Sequence, residues 1–125
     1  MNTVQLERAL KEMPLDALIT EIPEIQNFIE HLLKSNQEMR EFDPFSTDLE
    51  FIQAIKENAE LIIRKERQVD ITLQVIRERI GEAAWREMGS NVREFRERHA
   101  QDLKAEEKLQ LIERKEQEAE EGLFL

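Results

Sequence analysis

The sequence predicts an all-α fold built around a long antiparallel helical hairpin that resembles a coiled coil. Apolar residues recur every seven positions in two segments on either side of a proline-containing turn near residues 43–47. Each apolar seam is only two positions wide per heptad, so it can be buried only against another narrow stripe. A charged fraction of 37% with 3 glycines, 3 prolines and no tyrosine also fits extended helices better than a β-rich fold. We therefore predict a hairpin domain at residues 1–89 and a charged tail at residues 90–125.

The two seams are defined by apolar spacings of three and four residues. The first seam consists of Leu15, Leu18, Ile22, Ile25, Ile29, Leu32, Asn36 and Met39. The second consists of Ile52, Ile55, Ala59, Ile62, Glu66, Val69, Leu73, Ile76, Ile80 and Ala83. Asn36 is a polar residue of the kind that fixes helix register or oligomeric state, and Glu66 is a charged interruption.

Prolines organise the N-terminal part of the chain. Thr3 can cap a short first helix, and Pro14 interrupts it and can start the next helix, because proline is tolerated in a first turn. Pro23 lies a little over two turns later, yet the heptad continues across it. This favours one kinked, continuous helix, with a fresh helix start capped by Thr20 as the alternative.

The clearest break in the chain lies at Pro44, which disfavours helix at the residue before it and favours a turn. Thr47 and Glu50 then match a capping box, which predicts the start of the second hairpin helix. We expect this helix to continue through Gly81, at a cost of about 1 kcal/mol relative to alanine, and to end near Gly89. Trp85, just before that end, is interpreted as a packing residue opposite the N-terminal helix, with an anchor for a partner protein as the alternative.

The C-terminal part is predicted to be a weakly ordered charged helix or a disordered tail. Asn91 can cap a third helical segment, but after Val92 and Phe95 the apolar positions scatter without a sustained seam. A segment made mostly of Lys, Glu, Arg and Gln buries too little apolar surface to be held firmly. The apolar end at residues 122–125 can dock into a groove, although a free end without a role is an equal alternative.

Charge and composition exclude several function classes. Residues 1–50 carry four basic against eleven acidic side chains, which disfavours nucleic-acid binding. We expect no membrane segment and no signal peptide, and the absence of cysteine is compatible with the cytoplasm or the nucleus. His31 and His99 are the only histidines and neither belongs to a metal-ligand pairing, so no metal, cofactor or catalytic residue is predicted. A rod-like hairpin offers little concave surface, which favours protein binding over enzyme activity.

Residues 25–36 and 54–58, followed by Arg67 and Val69, resemble a family of fungal proteasome-assembly chaperones. These proteins are known as ATPase-dedicated chaperones and as translation-machinery-associated proteins. The resemblance covers residues 18–76 and leaves residues 81–121 without a counterpart.

The resemblance implies transient binding to an ATPase subunit of the proteasome regulatory particle. Such binding assists the pairing of ATPase subunits during assembly of the base, including under stress, and involves no catalysis or cofactor. It implies a polar face outside the seam, on which Asn27, His31 and Ser35 recur every four residues. The residues expected to contact the partner are Asn27, His31, Lys34, Ser35, Glu57 and Asn58.

A structural role is the competing interpretation. The same seams could join the chain to a tethering or scaffold complex, or to further copies in a helical bundle. A scaffold of this kind should be a stable oligomer, whereas an assembly chaperone should be a monomer or a weak dimer.

Overall fold

The protein consists of five helices joined by short connections, in a computed structural model that describes residues 2–123. The helices are α1 (Thr3–Glu12), α2 (Leu15–Phe42), α3 (Leu49–Arg79), α4 (Glu82–Arg98) and α5 (Ala100–Leu123). No β-strand is present between residues 2 and 123. The predicted all-α fold is confirmed.

Helices α2 and α3 form the predicted antiparallel hairpin, and they contact each other more extensively than any other pair of helices. Asn36 near the end of α2 bonds Ile55 near the start of α3, and Glu21 near the start of α2 bonds Gln68 further along α3. Seam residues form most of the hairpin core: Leu18, Ile22, Ile25, Ile29, Ala59, Ile62, Val69 and Ile76 are buried. The heptad pattern therefore identified the packed face of both helices.

The buried surface departs from the strict heptad at several positions. Leu15 and Ile80, at or near the outer ends of the two seams, are exposed. Leu33, Thr72 and Val75 are buried although they lie outside the seams. A straight helix drifts relative to a seven-residue repeat, and the other three helices cover additional faces of the hairpin.

The first helix begins one residue earlier than the sequence predicted. Asn2 is its N-cap, because the Asn2 side chain accepts a 2.9 Å hydrogen bond from the Gln5 amide, and the Gln5 side chain accepts one of 3.1 Å from the Asn2 amide. The prediction that Thr3 caps α1 was wrong. By contrast, α2 is continuous across Pro23, as preferred from the sequence, and Pro14 is its N-cap residue.

The turn between α2 and α3 is fastened by the carboxylate of Asp43. This carboxylate accepts hydrogen bonds from the Thr47 amide (3.0 Å), the Thr47 hydroxyl (2.9 Å) and the Asp48 amide (2.9 Å). Asp48 caps α3 by accepting from the amides of Glu50 and Phe51. The predicted cap at Thr47 was therefore wrong, since the Thr47 hydroxyl serves the turn instead.

A glycine separates the hairpin from the rest of the chain. Helix α3 ends at Arg79, and Gly81 adopts a φ of 122°, which L side chains rarely adopt. Helix α4 begins directly afterwards and passes through Gly89 without interruption. The expected continuous helix from α3 to Gly89 was wrong, and Asn91 lies inside α4 instead of capping a new helix.

Helices α4 and α5 fold back and pack on α3. Val92 and Phe95 of α4 and Leu103 of α5 join the hydrophobic core, and Glu106 of α5 is buried as well. The predicted division of the chain at residue 89 falls within α4. The first half of α5 is thus held on the hairpin, which differs from the expected weakly ordered tail.

Trp85 is half-buried on α4, and the Arg77 guanidinium lies 4.3 Å from its ring centroid. Its aromatic face therefore stacks on a cation. Of the apolar C-terminal segment, residues 124 and 125 lie outside the described part of the chain.

Candidate partner-binding surface

One side of α2 is covered by the C-terminal helices. A His99 ring nitrogen lies 3.0 Å from a carboxylate oxygen of Glu30. Further along α2, Arg40 donates hydrogen bonds of 2.5 and 3.1 Å to the carboxylate of Glu106. These bonds raise the pKa of the Arg40 guanidinium above its ordinary value. This side of α2 is therefore engaged within the chain.

The same helices cover one side of α3 with charged contacts. Arg96 donates a 2.6 Å hydrogen bond to the Glu66 carboxylate and lies 3.0 Å from a carboxylate oxygen of Asp70. Burial raises the pKa of Glu66, and the positive charge of Arg96 offsets part of this effect. The Gln110 side chain of α5 also donates to the Lys56 carbonyl at 3.4 Å.

The outer surface of α2 carries three of the six predicted contact residues. Asn27, His31 and Lys34 are exposed, and their spacing of four and three residues aligns them on one helix face. We call these three residues the outer stripe. Ser35 lies beside them and is half-buried. The structure thus brings together four of the predicted residues on a single helix.

The two predicted residues on α3 do not join the outer stripe. Glu57 is exposed and accepts a 3.1 Å hydrogen bond from Gln53 on its own helix. Asn58 donates a 3.0 Å bond to the buried Asn36, which in turn donates a 3.3 Å bond to the Ile55 carbonyl. Asn58 therefore takes part in the packing of α2 against α3.

Phe28 lies next to the outer stripe and was not predicted from the sequence. Phe28 is 41% exposed, and the Lys65 ammonium of α3 lies 5.5 Å from its ring centroid. The signal for this residue was an aromatic position outside the seam, directly after Asn27. Phe28 therefore adds an apolar side chain beside the polar outer stripe of α2.

A second feature that sequence reasoning missed is an apolar cluster at the turn of the hairpin. Phe42, Phe45 and Leu49 are 80%, 86% and 80% exposed. The Phe42 ring makes an edge-to-face contact with Phe51, with 5.5 Å between centroids. We call Phe42, Phe45 and Leu49 the hairpin tip. The available signal was three large apolar residues that belong to neither seam and lie within or beside the turn.

Clefts lie between the hairpin and the helices that pack on it. One of them, of about 470 Å³, is lined by charged and polar residues of α2 and α5 together with Leu33 and Ala105. The hairpin alone was expected to lack a pocket, and this cleft arises because α5 packs on it. Within residues 2–123 there is no group of three or more side chains suited to holding a metal ion. None of the helices described between these residues combines the length and hydrophobicity of a membrane-spanning segment.

A family model described as the TMA17 helical domain matches residues 2–83. The chain belongs to this family. The match covers more than half of the chain and includes α1, α2, α3 and the first two residues of α4. The TMA17 family is associated with proteasome assembly as a chaperone family, which implies protein partners. No curated protein and no solved structure matches the chain significantly.

The TMA17 domain contains both surface features described above. The outer stripe lies on α2 and the hairpin tip connects α2 to α3, whereas most of α4 and all of α5 lie outside the match. The family assignment agrees with the resemblance seen in residues 18–76. The partner-contact role of the six predicted residues stays a prediction.

Proposed function

We propose that this chain binds an ATPase subunit of the proteasome regulatory particle and assists the pairing of ATPase subunits during assembly of the base. The observation that carries the proposal is the coincidence of the TMA17 domain with the helices that hold the outer stripe. In this role the chain acts by binding alone, without catalysis, in the cytoplasm or the nucleus. The cell needs more of this chaperone activity when stress increases proteasome assembly.

The chemistry of α2 supports a helical, basic partner. The outer stripe presents an amide, an imidazole and an ammonium that are exposed, and such groups can pair with a helix laid along α2. Residues 1–50 also carry four basic against eleven acidic side chains. This charge favours a basic partner surface and speeds the encounter with it. The N-terminal coiled-coil helices of an ATPase pair are the proposed binding element.

The burial of the seams favours a monomer or a weak dimer over a scaffold. Leu18, Ile29, Ile62 and Val69 are buried within one chain, so α2 and α3 have already used their apolar faces. A structural coiled-coil subunit would need such faces to join other copies. The mass in solution, measured by light scattering, separates the two functions.

The experiment is a binding assay between the tagged chain and each purified ATPase subunit of the base. The test variant combines Asn27→Ala, His31→Ala and Lys34→Ala. The matched control combines Asn91→Ala, Gln101→Ala and Lys104→Ala, which are exposed helix positions outside the TMA17 match. We expect wild type and control to bind one subunit equally, and the test variant to bind about tenfold more weakly, the effect of losing a small energetic cluster.

Two other results would separate the surface from the function. If the test variant binds an ATPase subunit as tightly as wild type, the outer stripe is not the contact surface but the function stands. If no ATPase subunit binds and the chain forms a stable tetramer, the structural role replaces the proposed function. Circular dichroism of each variant shows that the helices are intact.

A further inference from the structure

The hairpin tip consists of the three most exposed large apolar residues within residues 2–123. Phe42, Phe45 and Leu49 lie within eight residues of one another, and each is at least 80% exposed. Single exposed apolar residues are common on soluble proteins, but a cluster of them marks a site of interaction. None of the three side chains belongs to the buried core, although Phe42 contacts Phe51 of α3.

The backbone that carries the hairpin tip is held in one conformation. The Asp43 carboxylate accepts three hydrogen bonds from Thr47 and Asp48, and these bonds lower the pKa of Asp43. Ser46 occupies the left-handed region with a φ of 53°. These hydrogen bonds stabilise the turn and thereby hold the backbone of Phe45 in a fixed position. Fewer conformations are then lost when a partner binds.

The chain segment that carries the hairpin tip is acidic. Glu41, Asp43, Asp48 and Glu50 alternate with its apolar residues, and the sequence has no lysine or arginine from residue 41 to residue 55. A second copy of this chain would bring the same carboxylates against one another, and an anionic membrane would be repelled in the same way. The charge therefore selects a partner that carries positive side chains.

We propose that the hairpin tip is a docking site for a partner protein segment that combines apolar side chains with lysine or arginine. The apolar side chains of the partner cover Phe42, Phe45 and Leu49, and its cations pair with the surrounding carboxylates. This surface is separate from the outer stripe and does not require that the partner be an ATPase subunit. A negative result for the hairpin tip would therefore not contradict the proposed function, which the binding assay with ATPase subunits tests separately.

The test uses the full chain and a fluorescein-labelled helical peptide of leucine and lysine, with leucines on one face. Fluorescence anisotropy compares wild type with the tip variant, which combines Phe42→Ser, Phe45→Ser and Leu49→Ser. The matched control combines Val4→Ser, Leu15→Ser and Ile19→Ser, which are exposed apolar residues away from the turn. We expect the tip variant to bind about tenfold more weakly or worse, and the control to bind as wild type does.

Two further variants make the result specific. Because Phe42 contacts Phe51, the pair Phe45→Ser and Leu49→Ser repeats the test without disturbing that contact. The pair Glu41→Gln and Glu50→Gln removes two surrounding charges without touching the apolar residues. We expect this charge variant to bind more weakly and to lose part of the salt dependence of wild type.

Several outcomes would overturn the proposal. Equal binding by the tip variants, or an equal loss in the control, would show that the apolar cluster is not the docking site. Equal binding of a leucine and glutamate peptide would remove the charge argument. A dimer seen by light scattering that the tip variant abolishes would assign the tip to a second copy. Flotation with neutral phosphatidylcholine vesicles, lost in the tip variant, would assign it to a membrane.

Discussion

Arg40 on α2 donates two hydrogen bonds to Glu106 on α5, at 2.5 and 3.1 Å, although the two residues are 66 positions apart. The Glu106 side chain is 1% exposed, while that of Arg40 is 41% exposed. A buried carboxylate requires a cation or donors to replace water, so this pair ties α5 to the hairpin.

Removing the cation should destabilise the protein. We expect Arg40→Ala to lower the free energy of unfolding by about 2 to 4 kcal/mol, because it leaves the Glu106 carboxylate buried and unpaired while the exposure of Arg40 moderates the loss. Urea unfolding measures this change, and Lys104→Ala at an exposed position of α5 is the control. The double variant Arg40→Leu and Glu106→Leu should recover most of the loss. A single variant as stable as wild type would contradict the expectation.

Replacing the buried asparagine of the seam should weaken the hairpin. We expect Asn36→Ala to lower the free energy of unfolding by about 1 to 3 kcal/mol, since the Ile55 carbonyl and the Asn58 amide each lose a partner. Asn27→Ala, at an exposed position of the same helix, should change it by no more than about 0.5 kcal/mol. Equal effects in chemical unfolding would show that the Asn36 bonds do not contribute.

The raised pKa of Glu66 predicts a defined pH dependence. Burial keeps the folded carboxyl protonated above its ordinary pKa of 4.5, so the folded state holds more protons and wild type loses stability as pH rises through this range. Glu66→Gln cannot lose a proton. We therefore expect the variant to gain stability relative to wild type from about pH 4 upward, until the folded carboxyl is fully ionised.

Urea unfolding at several pH values checks the Glu66 prediction. Arg96, Asp70 and Glu107 are the charged groups that act on this carboxyl, and all three are present in wild type and in the variant. A difference that shrinks as pH rises would show that the ion pair with Arg96 outweighs the cost of burial.

The glycine before the start of α4 and the glycine inside α4 should respond oppositely to alanine. A Cβ at either position meets nothing within 4 Å, so only the backbone distinguishes them. We expect Gly81→Ala to cost about 1 to 3 kcal/mol because its φ of 122° strains an L residue. Gly89→Ala, inside α4, should stabilise by up to about 1 kcal/mol. Thermal unfolding of the two variants measures both effects, and equal shifts would contradict the assignment of the break to Gly81.

The hairpin was predictable because its signal is local and repeated. Residues such as Ile22, Ile29, Ile62 and Val69 recur with the period of a helix seam, and Pro44 marks the turn between the seams. The same repeat correctly predicted that α2 is continuous across Pro23. The exact caps at Asn2 and Asp48 were missed, because neighbouring polar residues compete for one cap and the turn geometry decides between them.

The packing of the C-terminal helices was missed because polar residues occupy part of their seam. Residues facing the hairpin recur at spacings of three and four, in the series Val92, Phe95, His99, Leu103, Glu106 and Gln110. His99, Glu106 and Gln110 each bond a specific group of the hairpin. From composition alone, such polar residues are expected to be exposed to solvent. Their hydrogen-bond partners lie far away in the sequence, so no local pattern reveals them.

The candidate surfaces were only partly predictable for a related reason. The outer stripe follows from helix periodicity, because residues spaced four and three apart must share a face. The hairpin tip depends on which apolar residues remain uncovered after folding, and no local pattern decides that. Asn58 shows the opposite case, in which a polar residue expected at the surface bonds Asn36 inside the hairpin.

The length of α3 sets a distance between the two ends of the molecule. At about 1.5 Å per residue, a helix of 31 residues extends roughly 46 Å. The hairpin tip lies at its beginning, and α1 is fixed at its end, where Arg79 donates to the carbonyls of Leu10 and Met13. Two small domains bound at these ends, each roughly 30 Å across, would not need to touch. The hairpin is thus long enough to serve as a spacer that holds two bodies at a set separation.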